Sequence, residues 1–202
     1  LGNLTNVMIV PAGRFKSLKD LVEKAKVKPG ALLFATIGQG STGHLTAERL
    51  GLSAGFKATQ VPFKGTAEGV TDLAAGRIDF FFTPITAALG LIREHKVEAL
   101  AIGSSTRSSL MPELPTTVEA GYPNSDYNFW IGVFAPAATP QPIVARLHDE
   151  IRKALQVPEV KTRLARSGAE PMDMTLDQFE AYFKKEIALN EKLVKAAGIQ
   201  PQ

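Results

Sequence analysis

Short apolar runs alternate with amphipathic stretches through the first half of the chain, the pattern of βα units wrapped on a parallel sheet. Asn6 to Pro11 (NVMIVP) reads as a strand. A helix follows in which Ser17 and Asp20 are spaced as a capping box and Leu18, Leu21, Val22 and Ala25 form one face. After the Pro29-Gly30 turn, the apolar run Ala31 to Ile37 has the length of a strand buried on both faces. A short helix ending near Gly51, a strand Lys57 to Phe63 and a helix from Thr66 to a C-cap at Gly76 come next. Arg77 to Thr83 is a further strand, Pro84 opens the helix after it, and Val97 to Gly103 is a strand again.

The second half reads differently. Ser104 to Ser125 is rich in Ser and Pro and predicts a long loop with one short helix over Thr116 to Ala120. Asn128 to Pro136 (NFWIGVFAP) predicts one more strand. Beyond it the pattern is helical: Pro140 to Gln156, Pro158 to about Ser167, and a long helix that Thr175 caps. A poor strand at Ala169 to Met174 is the only other extended stretch, so this tail needs sheet partners from elsewhere. No internal repeat or low-complexity segment is present.

Composition narrows the class without naming it. The 202 residues are 45% apolar and 21% charged, which is ordinary for a globular chain. A net charge of +3 with scattered Lys and Arg argues against a nucleic-acid binder and supports no more than a mild preference for anions. Cysteine is absent, which removes disulfides, thiolate metal sites and a Cys nucleophile. No apolar run has the length of a membrane span. The chain opens LGNLTNVMIV, without a basic region or cleavage site, so an export signal is expected outside these residues.

Chemistry concentrates in FATIGQGSTGHLTAERL, Phe34 to Leu50, where Gly38, Gly40 and Gly43 spell G-x-G-x-x-G between a strand and a helix. A dinucleotide site also demands an acidic residue at the end of the next strand, and that strand ends Val61-Pro62-Phe63-Lys64-Gly65, with Glu68 already in the following helix. A nucleophile elbow lacks its first Gly around Ser41, and no Gly-Lys-Ser/Thr closes a phosphate loop. The three histidines, His44, His95 and His148, are far apart, and no acid-base or metal constellation emerges; only His44, in the first turn of the loop's helix, attracts interest, with a capping or packing role as its bland alternative. What remains is an anion site made of a helix N-terminus: backbone N–H groups over Gly38, Gln39 and Gly40, with the hydroxyls of Ser41 and Thr42. The bland alternative is a tight turn in which Ser41 or Thr42 merely caps the helix. Two more strand ends break directly into helices, at Phe63-Lys64-Gly65-Thr66 and at Thr83-Pro84-Ile85-Thr86, and in a parallel sheet all three helix starts line one cleft. Phe81 and Phe82 read as core and Lys64, alone, as a solvated charge.

These residues resemble a known family. TIGQGSTGHLTAERL, VPFKGTAEGVTDLAAGRIDFFF, LAIGSSTRSSLMPELPTTVEAGYP, FWIGVFAPAATPQPIVARLHDEIRKAL and GAEPMDMTLDQFEAYFKKEI follow, in order and spacing, the tripartite tricarboxylate transporter receptors, also called the Bug family of periplasmic solute-binding proteins. The resemblance covers essentially the whole chain, and PFKG, LPTTVEAG and APAATPQPIVARL are specific in combination. It implies an α/β fold of the periplasmic-binding-protein type, two lobes closing over a small organic carboxylate that is passed to membrane permease subunits. No catalysis, cofactor, metal, nucleic acid or membrane insertion is implied. Leu4 to about Gly121 is then the second lobe and about Tyr122 to Gln202 the return to the first, whose leading segment of about 100 residues, an ordinary size for a compact lobe, is absent here. The implied ligand-binding residues are Gly38, Gln39, Gly40, Ser41, Thr42 and His44, then Phe63, Lys64 and Gly65, then Thr83, Pro84 and Ile85, with Trp130 near the re-entry into the first lobe. Two other readings compete: an NAD(P)-binding oxidoreductase domain, and the effector-sensing domain of a transcription regulator.

Overall fold

A computed structural model describes residues 2–199, so the end of the expected C-terminal segment, Gln200 to Gln202, lies outside the described residues. In chain order the elements are β1 (Gly2–Leu4), β2 (Asn6–Pro11), α1 (Leu18–Val27), β3 (Leu33–Thr36), α2 (Thr42–Ala54), β4 (Thr59–Pro62), α3 (Thr66–Ala74), β5 (Phe80–Pro84), α4 (Ile85–Arg93), β6 (Val97–Ile102), β7 (Phe129–Ile131), α5 (Gln141–Gln156), α6 (Pro158–Arg166), β8 (Ala169–Pro171) and α7 (Leu176–Ala196). They build two sheets, a larger one of order β4-β3-β5-β2-β6 and a smaller one of order β7-β1-β8.

The larger sheet is covered on both faces, which its continuous apolar strands require. Met8, Val10, Phe34, Phe80 and Phe82 face α1 and α2, meeting Leu18, Leu21, Val22 and Ala25 from the first helix and Ala47, Leu50 and Ala54 from the second. Val7, Ile9, Ala35 and Phe81 face the other way, against Val70 and Leu73 of α3 and Ile85 and Ala88 of α4. The α1 start keeps half of the expected capping box: Ser17 Oγ accepts from Asp20 N–H (3.1 Å), but Asp20 Oδ2 accepts from Lys16 N–H (3.0 Å), one residue before the Ser17 N–H that a box would use. At the end of α3 the N–H of Gly76 bonds Leu73 O and that of Arg77 bonds Asp72 O, a Schellman closure that needs Gly76 at φ +74°.

The sheet is not wholly parallel. β3 is parallel to β4 and β5, but β2 runs antiparallel to both β5 and β6, because the chain enters it directly from β1 of the other sheet. Consequently the C-terminal ends of β3, β4, β5 and β6 and the first residue of β2, Asn6, share one edge. The helix after the glycine loop runs past Gly51 to Ala54. Gly55, at φ +71°, is its real C-cap, whereas Gly51 lies where a Cβ would approach Phe56 O to 3.0 Å.

In the smaller sheet β1 supplies the partner that the tail lacked: β7 and β8 both pair antiparallel to it. The expected strand from Asn128 to Pro136 shrinks to three residues, since β1 offers only three for it to pair with. Thr116 to Ala120 is a single turn rather than a helix. Thr116 Oγ1 accepts from Glu119 N–H (3.1 Å), Glu119 Oε2 accepts from Thr116 N–H (2.8 Å), and Gly121 follows at φ +101°. That turn is strapped to β6 by Ile102 N–H to Pro115 O (2.8 Å) and Thr117 N–H to Ile102 O (2.9 Å), which explains the compact PTTVEAG signature.

Candidate functional site

The shared edge of the larger sheet holds a cavity of about 170 Å³ lined by Asn6, Ile37, Thr42, Gly43, Thr66, Phe81, Phe82, Pro84 and Phe129. Its walls therefore come from the first residue of β2, the starts of α2 and α3, the cap of α4, and β7 of the smaller sheet. No charged side chain lines it. Apolar surface and converging neutral donors make a pocket for a small ligand with a polar end.

The glycine loop aims α2 at this cavity. Gly38 (φ +128°) and Gly40 (φ +75°) take backbone conformations that side chains disfavour, and Thr36 Oγ1 and Ser41 anchor the turn between them through the N–H of Gly38 (3.4 Å) and the O of Gly38 (3.3 Å). Gly43 has a packing reason: a Cβ there would run into the carbonyl oxygen of Phe82, so the first turn of α2 lies hard against β5. Ser41 is the N-cap, its Oγ accepting from His44 N–H (3.4 Å) while its O accepts from Leu45 N–H (3.0 Å). Thr42 and Gly43 come next, and helix geometry gives their N–H groups no acceptor inside α2. At α3 the cap is Gly65, which has no side chain to satisfy the helix N–H groups, and Thr66 is the first helical residue.

The expected site residues separate into three sets. Thr42 and Pro84 line the cavity. Gly38, Gln39, Gly40 and Ser41, and Phe63, Lys64 and Gly65, stand on the two loops beside it; Lys64 is exposed, and its N–H donates to Glu68 Oε2 (3.1 Å). His44, Thr83, Ile85 and Trp130 are directed elsewhere. His44 is buried, stacks 6.0 Å from Phe34, and accepts the Gly40 N–H on Nδ1 (3.0 Å), so its neutral ring carries the proton on Nε2, 3.8 Å from Glu48. Burial lowers the His44 pKa and raises that of Glu48. This histidine shapes the loop by taking up one of its N–H groups. Ile85 belongs to the core under α4, and Thr83 is fully buried in the sheet.

Trp130 sits in an aromatic cluster, 5.8 Å from Phe179, 6.0 Å from Tyr182 and 5.9 Å from Phe183 in edge-on contacts. The strand pleat turns its neighbour Phe129 toward the cavity instead. A second cavity of about 130 Å³ opens beside that cluster, between residues 130–135, α5 and α7. Of its polar groups His148 Nε2 meets Met174 O (2.8 Å) and Arg152 pairs with Asp173 (2.6 Å), while the buried Tyr182 hydroxyl has no hydrogen-bond partner among the described residues.

Sequence reading misses Asn6, Ile37 and Phe129, and takes Gly43 and Thr66 as a motif glycine and a helix start but not as ligand residues. Thr66 carried a usable signal, because Gly65-Thr66 repeats the placing of Ser41-Thr42 at a helix start. Asn6 carried another, as the single polar residue at the head of an otherwise apolar strand.

Comparison with known proteins bears on the family and the fold. Residues 1–199 match the family described as "Tripartite tricarboxylate transporter family receptor". Protein BugT of Bordetella pertussis is 34% identical over 199 residues, 98% of this chain and 61% of BugT. Among solved structures, R. palustris Rpa4515 with adipate superposes with a TM-score of 0.79 at 32% identity, covering 100% of this chain and 68% of that one. MatC (Rpa3494) from Rhodopseudomonas palustris with bound malate does so with a TM-score of 0.72 at 30% identity, covering 96% and 67%. The chain spans 57% of the length of one curated relative, from Pseudomonas sp. (strain P51), and 61% of that of BugT. With a family match over nearly its whole length and an α/β fold shared with these binding proteins, the chain belongs to the tripartite tricarboxylate transporter receptor family.

Proposed function

We propose that this chain is the larger part of a periplasmic solute-binding receptor that captures a small organic carboxylate in a cleft between two lobes and delivers it to the membrane permease subunits of a tripartite tricarboxylate-type transporter. The observation that carries the reading is the convergence of the α2 and α3 starts, with Thr42, Thr66 and Asn6, on one cavity without charged side chains. Helix N-termini supply partial positive charge and N–H donors that suit a carboxylate, and no group placed for covalent or acid-base chemistry lines the wall. The adipate and malate in the two R. palustris structures are small carboxylates of the kind this wall fits. We read Leu4 to about Gly121 as one lobe, built on the larger sheet, and the stretch from about Tyr122 as the return to the other. Among the described residues no helix is long and apolar enough to cross a membrane.

The test is thermal unfolding of the full-length protein with adipate, malate, hexanoate or benzoate, against NAD and NADP as controls. A ligand at a hundredfold excess over Kd adds about 2.7 kcal/mol, several degrees of Tm. A shift with either nucleotide and with none of the acids refutes the receptor reading. Thr42→Ala with Thr66→Ala weakens binding of the responding acid by about 1–3 kcal/mol, since hydrogen bonds to a charged group are the ones removed.

A further inference from the structure

Asn6 stands where the two sheets meet. Only Thr5 separates it from β1, so the chain passes from the smaller sheet to the larger within one residue. The second crossing, from β6 to β7, is strapped to the same place. Asn6 O accepts the N–H of Gly103 (2.9 Å), and Gly103 O accepts the N–H of Tyr127 (2.7 Å). The side chain does something else. Asn6 is 5% exposed and lines the cavity with Thr42 and Thr66, yet its Nδ2 has no hydrogen-bond partner among the described residues.

A buried amide N–H without an acceptor is destabilising and uncommon, and such groups mark places where an acceptor arrives with function. Thr5 Oγ1 and Thr83 Oγ1 are also buried and without partners, but neither lines the cavity. Around Asn6 the wall is apolar, through Phe81, Phe82 and Phe129, so the arriving acceptor belongs to a molecule whose remainder is apolar.

We propose that Asn6 is a ligand-binding residue of the cleft, donating its side-chain amide N–H to a carboxylate oxygen of an acid with an apolar body, and that its place at the crossing couples occupancy to the angle between the two sheets. This rests on the receptor reading. It adds a named donor on the crossing strand, outside the glycine loop. Phe129, from β7, closes the same cavity from the smaller sheet, so a ligand held by Asn6 touches both sheets at once. A donor at the crossing favours the closed arrangement when the ligand that it holds also packs on Phe129 of the other sheet, because that second contact is gained on closure.

The experiment uses the full-length protein with hexanoate, benzoate, adipate and malate, and with hexanamide as a neutral analogue. Calorimetry gives affinity, and small-angle scattering gives the radius of gyration at saturation. For the acids that the unsubstituted protein binds, Asn6→Ala lowers affinity about tenfold or more. Asn6→Asp, isosteric and therefore informative even where the alanine variant folds poorly, lowers it further by setting a carboxylate against a carboxylate, and shifts the hexanoate-to-hexanamide ratio toward the amide. Both variants also lose part of the compaction at saturation. Affinities within twofold of the unsubstituted protein, with an unchanged acid-to-amide ratio, overturn the assignment of Asn6 while leaving the receptor standing. Weakened affinity with full compaction at saturation overturns the coupling. No binding of any of the four acids to the unsubstituted protein overturns the shared reading and this inference with it.

Discussion

Around the larger sheet Met8, Ile9, Phe80, Phe81 and Phe82 are all almost fully buried, with helices on both faces. Around the smaller one Phe134 is 60% exposed and Val133 59%, α6 buries none of its residues, and α5 buries only Leu155. The amphipathic patterning of the helices is similar in the two regions, so periodicity does not cause the difference. Cover does: two helices lie on each face of the larger sheet, whereas the apolar sides of α5 and α7 meet a three-stranded sheet and an open aromatic cluster. An amphipathic stripe becomes stabilising only when a second layer takes it out of water.

The largest expected effect tests that contrast directly. Phe82→Ala removes a fully buried ring and costs about 3–5 kcal/mol, whereas Phe134→Ala in this 202-residue chain costs under about 1 kcal/mol because most of its surface is already wet. Urea midpoints of the two variants decide it, and equal shifts break the comparison. In the full-length protein, where we propose that further chain completes this lobe, Phe134→Ala moves up toward the cost of a buried ring. Next in size is Gly43→Ala. The added methyl meets the Phe82 carbonyl, so α2 must retreat from β5, at a cost of about 1–3 kcal/mol. Thermal unfolding reads the loss, and unaltered stability means that the helix start is looser than it looks.

The two regions also differ in how much of each was legible beforehand. The buried face of α1, the N-caps Ser17 and Thr175 and the left-handed glycine that closes α3 are local matters, and periodicity plus capping chemistry finds them, with the C-cap of α3 one residue earlier than expected, at Ala75. The three loops of the larger sheet were legible as strand ends breaking into helices. Which of their residues face the cavity was not, because that depends on pleat and packing: Phe129 against Trp130, and Pro84 against Thr83 and Ile85. The antiparallel course of β2 escaped for a related reason. An apolar run carries no mark of direction, and Gly2 to Leu4 is too short and unremarkable to announce itself as the central strand of the second sheet.

A smaller effect separates global from local stability. Ser17→Ala and Thr175→Ala each remove an N-cap worth about 1 kcal/mol. Since α1 packs on the closed core, the first is expected to lower the stability of the whole larger sheet. The second is expected to lower hydrogen-exchange protection mainly within α7. Equal losses of protection across both sheets after Thr175→Ala make the molecule a single cooperative unit and dissolve the distinction.

The smallest effect lies on the seam. Glu186 of α7 is 6% exposed, and its Oε2 has no hydrogen-bond partner among the described residues. Arg49 comes from α2 and Asp126 from the crossing segment, with Lys185 beside it on α7. Burial raises its pKa, with Asp126 adding to the rise and Arg49 and Lys185 opposing it. A carboxyl whose folded pKa lies above its unfolded one contributes stability that is fully present below the unfolded value and is lost as pH rises through the folded value. Near neutral pH the ionised group is therefore held at a cost. Glu186→Gln removes that cost and is expected to raise Tm by about 2 °C at pH 7.5, with the difference shrinking as pH falls and reaching zero only below about pH 3.3, where the carboxyl is protonated in both states. A difference that is constant with pH, or a loss at pH 7.5, means that the ionised carboxylate is a net attractive partner of Arg49. The seam would then be held by charge, and the contrast between a closed and an open half would need a third term at their boundary.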